Sequence, residues 1–246
     1  MPDGAAMPAG SGPRAAPPVH CAAPPRHTRA AAQPHMPRLR WIRQLLPPVV
    51  TDGIAATARW AADQVARRRI APHRRLHLAC GGHLLPGWAN VDLEGPAAVI
   101  KLDLTRPLPV ASQSIDCIYA EHFIEHIERP AAQRLLRECH RVLVPAGVLR
   151  LSTPSLAHLV AEYQAGRTGG WADLQWHPAT PAQLLNEAMR CWGHRFLFDA
   201  PELEMLLHEA GFARTLARGW RASEHAALAG LECRPYKGEL IYEGIK

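Results

Sequence analysis

The stretch LHLACGGHLLPGWANVD, residues 76–92, decides how the rest of the chain is read. It divides into a short apolar strand (Leu76 to Cys80), a glycine turn at Gly81 and Gly82, and a second strand (Trp88 to Leu93) with Asp92 near its end. In an open α/β sheet, ligands sit beyond the carboxyl ends of the strands, and glycines there let backbone N–H groups approach them closely. A carboxylate at the next strand tip can accept both hydroxyls of a ribose, so Asp92 points to an adenosine-type ligand.

Glycine spacing separates the candidate ligands. A dinucleotide site needs G-x-G-x-x-G to seat a pyrophosphate; here Gly81 and Gly82 are adjacent and both required offsets lack glycine. A phosphate loop needs G-x4-G-K-[ST]. Gly82 and Gly87 have that gap, but Trp88 stands where lysine should neutralise phosphate. S-adenosylmethionine carries no phosphate. It asks for a tight glycine turn near its amino-acid end and an acidic residue for its ribose, and this corner supplies both.

The segment from Arg75 to about Pro154 resembles class I S-adenosylmethionine-dependent methyltransferases, especially compact bacterial ones whose first two strands read LxLGCG…GWxNVD. The residues carrying the resemblance are Leu78, Cys80, Gly81, Gly87, Trp88, Asn90, Val91 and Asp92. Ala79 departs from it, standing where that family has glycine. Alanine tolerates positive φ poorly, so position 79 is expected to be extended or the turn slightly remodelled. The resemblance implies a Rossmann-like α/β fold: a mostly parallel seven-stranded sheet, a C-terminal antiparallel hairpin and helices on both faces. It also implies S-adenosylmethionine as cofactor, held by Ala79, Cys80, Gly81, Gly82, Asp92, Leu93, Asp103, Leu104, Ala120 and Glu121.

Residues 1–37 are rich in Pro, Ala and Gly without a sustained apolar period, and read as a disordered tail. Residues 38–74 read as an N-terminal helical segment and 75–246 as the methyltransferase domain. Residues 1–75 hold 12 Arg against 3 Asp, so the basic charge lies at the front. That front has no recognisable nucleic-acid motif, which leaves an Arg-rich tail as the simpler reading. Residues 54–70 are expected to form a helix covering the sheet, with Ile54, Ala58, Ala61 and Val65 near one face and Arg67, Arg68 and Arg69 favourably placed at its C-terminal end. No signal peptide or transmembrane-length stretch is visible, and six cysteines lack any C-x-x-C pair. A cytoplasmic protein without structural zinc is the economical expectation.

Val99, Ile100 and Leu102 form a short strand that brings Asp103 and Leu104 to the same rim as Asp92. The methyltransferase resemblance implies that Asp103 accepts the adenine amino group there; alternatively it caps a turn before Pro107. A fourth strand, 114–120, runs into EHFIEHIERP. His122, Glu125 and His126 satisfy H-x-x-E-H, the inverted zinc-protease motif. That motif needs both histidines on one helical face, whereas this segment follows a buried strand directly; the methyltransferase resemblance accounts for the same letters.

Pro130 opens a helix over 130–143, and 148–152 is the fifth strand. Only about ten residues separate the first two strands, near the minimum for a parallel crossover, so the usual first helix is expected to shrink to a turn. The insertion 165–198 reads as irregular and substrate-facing, with His177, Asn186, Trp192, His194 and Phe198 as pocket materials. Asp199-Ala-Pro-Glu202 is a capping box for helix 200–210, and 212–221 with 238–245 should close the sheet.

Methyl transfer from a sulfonium is an in-line displacement, for which no metal is expected. A hydroxyl or amine acceptor requires a proton acceptor, and His122 and His194 are the candidates. The acceptor is expected to be a small molecule, of saccharide type or a cell-surface precursor, ahead of nucleic acid. Two alternatives are a non-catalytic S-adenosylmethionine-fold binding module and a zinc hydrolase built on His122, Glu125 and His126. Nothing in the sequence specifies an oligomeric state.

Overall fold

A computed structural model describes residues 48–171 and 174–246. The expected tail over 1–37 lies outside the described residues, as does the start of the helical segment. Among the described residues, no helix is long and apolar enough to cross a membrane.

Helix α1 (Pro48–Ile70) leads into β1 (Arg75–Leu78), β2 (Ala89–Asp92), β3 (Ile100–Lys101) and β4 (Ile115–Glu121). A single 3-10 turn (Ile124–His126), α2 (Arg129–Val142), β5 (Leu143–Thr153), α3 (Leu156–Gln164) and α4 (Pro181–Arg190) follow. Helix α5 (Ala200–Glu209), β6 (Arg214–Ala217) and β7 (Leu240–Ile245) complete the order. The seven strands lie β3-β2-β1-β4-β5-β7-β6. The first five are parallel, and β7 runs antiparallel to both β5 and β6. This is the expected architecture.

Strand alternation sorts side chains to the two faces. Leu76, Leu78, Ile118, Leu149 and Leu151 join one core with Ala66 and Ile70 of α1, Leu135 and Leu136 of α2, and Leu203, Leu206 and Leu207 of α5. Tyr119 and Val148 face the other way, beneath Leu85, Trp88 and Leu228. The helices are therefore distributed unevenly, with the second face closed chiefly by turns and by the long segment between β6 and β7.

Helix α1 buries a different stripe from the expected one. Ala66 and Ile70 are in the core, while Val65 and Trp60 are exposed, and Ala58 and Ala61 also face solvent. Polar anchors set this rotation. The Arg69 guanidinium donates to the carbonyls of Ala97, Ala98 and Val99, and Arg106 pairs with Asp63 at 3.0 Å.

The insertion after β5 is also more ordered than its composition suggests. Helix α4 starts at Thr180, whose side chain accepts from the Gln183 amide, while the Gln183 side chain accepts from the Ala179 amide. These contacts satisfy the orphan donors of a helix start. Leu184 and Ala188, one turn apart, pack with Leu159 of α3 and with Trp171 and Trp176 in a separate small core. The Asp199 cap on α5 forms as expected, accepting from the Glu202 amide.

Between β6 and β7 the chain makes a long excursion, and a buried cation organises it. Arg150 of β5 is fully buried on the second face. Its Nε donates to Glu232 at 2.7 Å, and its Nη1 to Glu243 of β7 at 3.0 Å and to the Ala222 carbonyl at 2.8 Å. Arg218 donates to the second oxygen of Glu243 at 2.7 Å. Removing the cation would leave Glu232 buried without compensation and Glu243 with Arg218 alone, which costs about 3–5 kcal/mol. Arg150→Met is therefore expected to lower the unfolding free energy by about that amount in urea denaturation, with the 219–239 segment the first to become protease-sensitive.

Candidate functional site

The glycine turn and the acidic strand tip lie together. Cys80 donates its amide to the Val91 carbonyl at 3.0 Å, and the Gly81 amide donates to Asp92 Oδ2 at 2.8 Å. No helix forms between β1 and β2, in line with the short crossover. A Cβ built on Gly81 or Gly82 would meet nothing within 4 Å, so the turn's backbone faces open space. Leu93, beside the carboxylate, is 65 % exposed and offers uncovered apolar surface. An uncovered glycine turn, a carboxylate and an apolar shelf suit a phosphate-free nucleoside.

Ala79 corrects the expectation of extended backbone: its φ is +50°. The turn is remodelled instead, with the left-handed conformation adopted although a Cβ is present, at a cost of roughly 1–2 kcal/mol. Strand β1 consequently ends at Leu78, two residues earlier than read.

Asn90 explains the GWANVD pattern physically. Its side chain accepts from the Leu85 amide at 2.9 Å and donates to the carbonyls of Leu85 and Trp88. Its oxygen also meets His77 Nδ1 at 3.1 Å, which makes Nδ1 the protonated nitrogen of a neutral ring. One amide thus staples the 85–88 turn to β1 and buries Trp88 against Tyr119.

The remaining expected cofactor residues divide by environment. Asp103 Oδ1 accepts from both the amide and the hydroxyl of Thr105, so this residue does cap a turn. Leu104 is buried in the main core, as is Ala120. Glu121, at the tip of β4, accepts from the Cys233 amide and thiol and from the Arg234 amide. Burial works against its charge, but these donors outweigh it and hold the carboxyl below the ordinary range. The sequence carries no local signal for this tether.

A cavity of about 300 Å³ opens beside these tips. Trp171, Trp176, Trp192, Leu159 and Pro154 form its walls, His122, His126 and His194 line it, and Arg234 and Glu239 lie on the side of the long segment. Trp192 and His194 thus line this cavity. His177 is exposed and outside it. Asn186 is held on the solvent side of α4 by Arg190 and the Ala182 carbonyl, and Phe198 is in the main core. Those three do not form a substrate pocket.

His122 follows β4 at φ +50°, its amide donating to Ser152. Its Nδ1 lies 3.3 Å from Oε1 of fully buried Glu125, short of hydrogen-bond geometry, and its Nε2 lies 3.7 Å from Glu239. The 122–126 segment is a strand end and one 3-10 turn. His122 and His126 therefore do not share an α-helical face as the zinc-protease motif requires. His126 instead meets His194, with ring centroids 4.9 Å apart; burial lowers the His126 pKa.

The strand order and the glycine corner agree with the architecture implied by the resemblance to class I S-adenosylmethionine-dependent methyltransferases. Residues 84–151 match the family model described as a methyltransferase domain, which spans β2 to β5. None of the curated proteins matches the chain. Solved structures similar to it include an S-adenosylmethionine-dependent methyltransferase from Mesorhizobium loti, 20% identical, with 77% of this chain and 98% of that one covered at a TM-score of 0.45. Another, from Archaeoglobus fulgidus, is 16% identical and covers 83% of this chain and 94% of its own, with a TM-score of 0.46. Similarity at this level identifies no acceptor.

His77 makes the corner acid-sensitive. Burial pushes its pKa down to about 4, while an unfolded chain takes up that proton near pH 6.5. Stability is fully present above the unfolded value and is lost as pH falls from there towards 4, by roughly 3 kcal/mol from this group alone. Denaturation midpoints measured between pH 7.5 and 4.5 should fall accordingly, and His77→Gln should flatten the slope.

Proposed function

We propose that the chain transfers a methyl group from S-adenosylmethionine to a small-molecule acceptor of saccharide type held in the tryptophan-walled cavity. The observation that carries this is the β1–β4 register. Leu78 is paired with Ala120, so the glycine turn after β1 and His122 after β4 emerge side by side from hydrogen-bonded strands. Cofactor corner and cavity therefore share one edge of the sheet.

Bound at the corner, S-adenosylmethionine supplies a methyl group on a positively charged sulfur. The Gly81 and Gly82 backbone and the Asp92 carboxylate orient the nucleoside, with Leu93 and Asp103 on the adenine side. Glu121, at the β4 tip, lies towards the amino-acid end. The aromatic walls bind the acceptor through its apolar faces and exclude water. His122 lines the cavity directly after β4, between Glu125 and Glu239, and is the side chain assigned to take the acceptor's proton. His194, whose Nδ1 donates to the Ala188 carbonyl at 2.7 Å, is the second candidate base, through its Nε2.

Calorimetric titration tests the corner. Asp92→Asn should weaken S-adenosylmethionine and S-adenosylhomocysteine by about 10- to 100-fold, the loss of charge-assisted hydrogen bonds to hydroxyls. Transfer of labelled methyl to a small-metabolite pool tests the rest. His122→Ala should lower turnover by about 10²- to 10⁴-fold with cofactor affinity little changed. Tight cofactor binding with no transfer to any pool would instead favour a non-catalytic binding module.

A further inference from the structure

Glu125 presents an unresolved demand. Its carboxylate is fully buried. Oε2 accepts the Thr153 hydroxyl at 3.0 Å, but Oε1 has no hydrogen-bond partner. A buried anionic oxygen without a donor is costly unless positive charge is supplied.

Three imidazoles stand around it: His122, with Nδ1 at 3.3 Å from Oε1 but outside hydrogen-bond geometry, His126 and His194. His126 Nε2 is 3.9 Å from Glu125 Oε1, and one ligand atom each from Glu125, His126 and His194 all lie within 4.8 Å of one another. His194 donates from Nδ1 to the Ala188 carbonyl, which leaves its Nε2 lone pair available. That arrangement, with one ring nitrogen tied to a carbonyl and the other free, is how ligating histidines are held. Thr153 plays the corresponding supporting role for the carboxylate.

The backbone holds the two sides of the cluster together. The Arg195 and Phe196 amides both donate to the Glu125 carbonyl, at 2.7 and 3.2 Å. Gly193, at φ +82°, allows the 192–194 loop to pass close to His126, whose Nδ1 would lie 3.8 Å from any Cβ placed there. A tetrahedral ion with bonds of about 2.0–2.2 Å needs its donors roughly 3.4 Å apart, so side-chain rotations of about an ångström would close the set.

We propose that Glu125, His126 and His194 form a divalent transition-metal site at the wall of the cavity, with zinc as the fitting ion. Two imidazoles and one carboxylate favour zinc over magnesium or calcium, which take oxygen ligands. Three protein ligands leave a fourth position, and because His126 and His194 line the cavity, a hydroxyl-bearing molecule there can reach it. The oxygen of such a molecule, coordinated to the ion, loses its proton more readily. The sequence reading expects no metal. It pairs His126 with His122, whereas the third residue of the cluster comes from the distant 192–194 loop.

The test uses the metal-free full-length chain with Zn²⁺ and Co²⁺ as probes, without cofactor or acceptor. One equivalent of Co²⁺ should give the intense visible absorption of a tetrahedral site, displaceable by Zn²⁺, and chelator competition gives the Zn²⁺ affinity. His126→Gln and His194→Gln should each weaken Zn²⁺ by at least about 100-fold, and Thr153→Val, which touches only the carboxylate's support, by about 10-fold. Circular dichroism establishes that the variants are folded. Absence of the cobalt spectrum, or zinc binding that neither histidine variant alters, overturns the proposal. Because the readout needs no methyl transfer, failure here leaves the cofactor titration intact, and failure of that titration leaves this result standing.

Discussion

A guanidinium placed inside a sheet has to be answered by carboxylates, and Arg150 recruits them from far away in sequence. Glu243 comes from β7, and Glu232 from the segment that precedes it. Arg218 then balances the second Glu243 oxygen, giving two cations and two anions in a region closed to water. Replacing such a network wholesale with apolar residues can be neutral in stability, so its consequence here lies in position. It holds the 219–239 segment against the second face, and that segment carries Arg234, Pro235 and Glu239 to the cavity. Glu121 completes the attachment by gripping residues 233 and 234.

Polar burial thus places one side of the candidate site, while the small apolar core around Trp171, Trp176 and Leu159 forms its walls. The main core sits on the opposite face, where α1, α2 and α5 cover the strands. On the functional side, only a small apolar group around Trp88, Tyr119 and Leu228 shields the sheet. Ordered turns and ion pairs do the rest, which suits a region that must admit ligands: hydrogen bonds fix direction where close-packed side chains would fill the space.

What the sequence discloses is what local physics encodes. The strand–glycine turn–strand pattern, the Asp199 cap and the Pro130 helix start each depend on residues a few positions apart, and each is found as read. The Thr180–Gln183 cap of α4 was equally local and visible, but the Gly- and Trp-rich surroundings masked it. By contrast, Arg150 with Glu232 and Glu243 spans 82 and 93 residues, and Glu121 with Cys233 spans 112. No periodicity records such pairings. The rotation of α1 escaped for the same reason, since Arg69 reaches carbonyls of 97–99 that a helical pattern does not contain. Ala79 is a different case: its side chain argues against positive φ, but the Asp92 contact to Gly81 and the ladder bond from Cys80 to Val91 hold the turn in that geometry.

Glu125 is where the two chemical readings of the cavity meet. Its Oε1 faces His122 on one side and His126 with His194 on the other, and has no donor from either. A carboxylate this deeply buried is costly unless a donor or a positive charge meets that oxygen, and the imidazoles on both sides are the groups placed near it. One buried oxygen is thus shared by the His122 side of the cavity wall and by the His126–His194 side, so a change at Glu125 reaches the proposed base and the proposed metal site together.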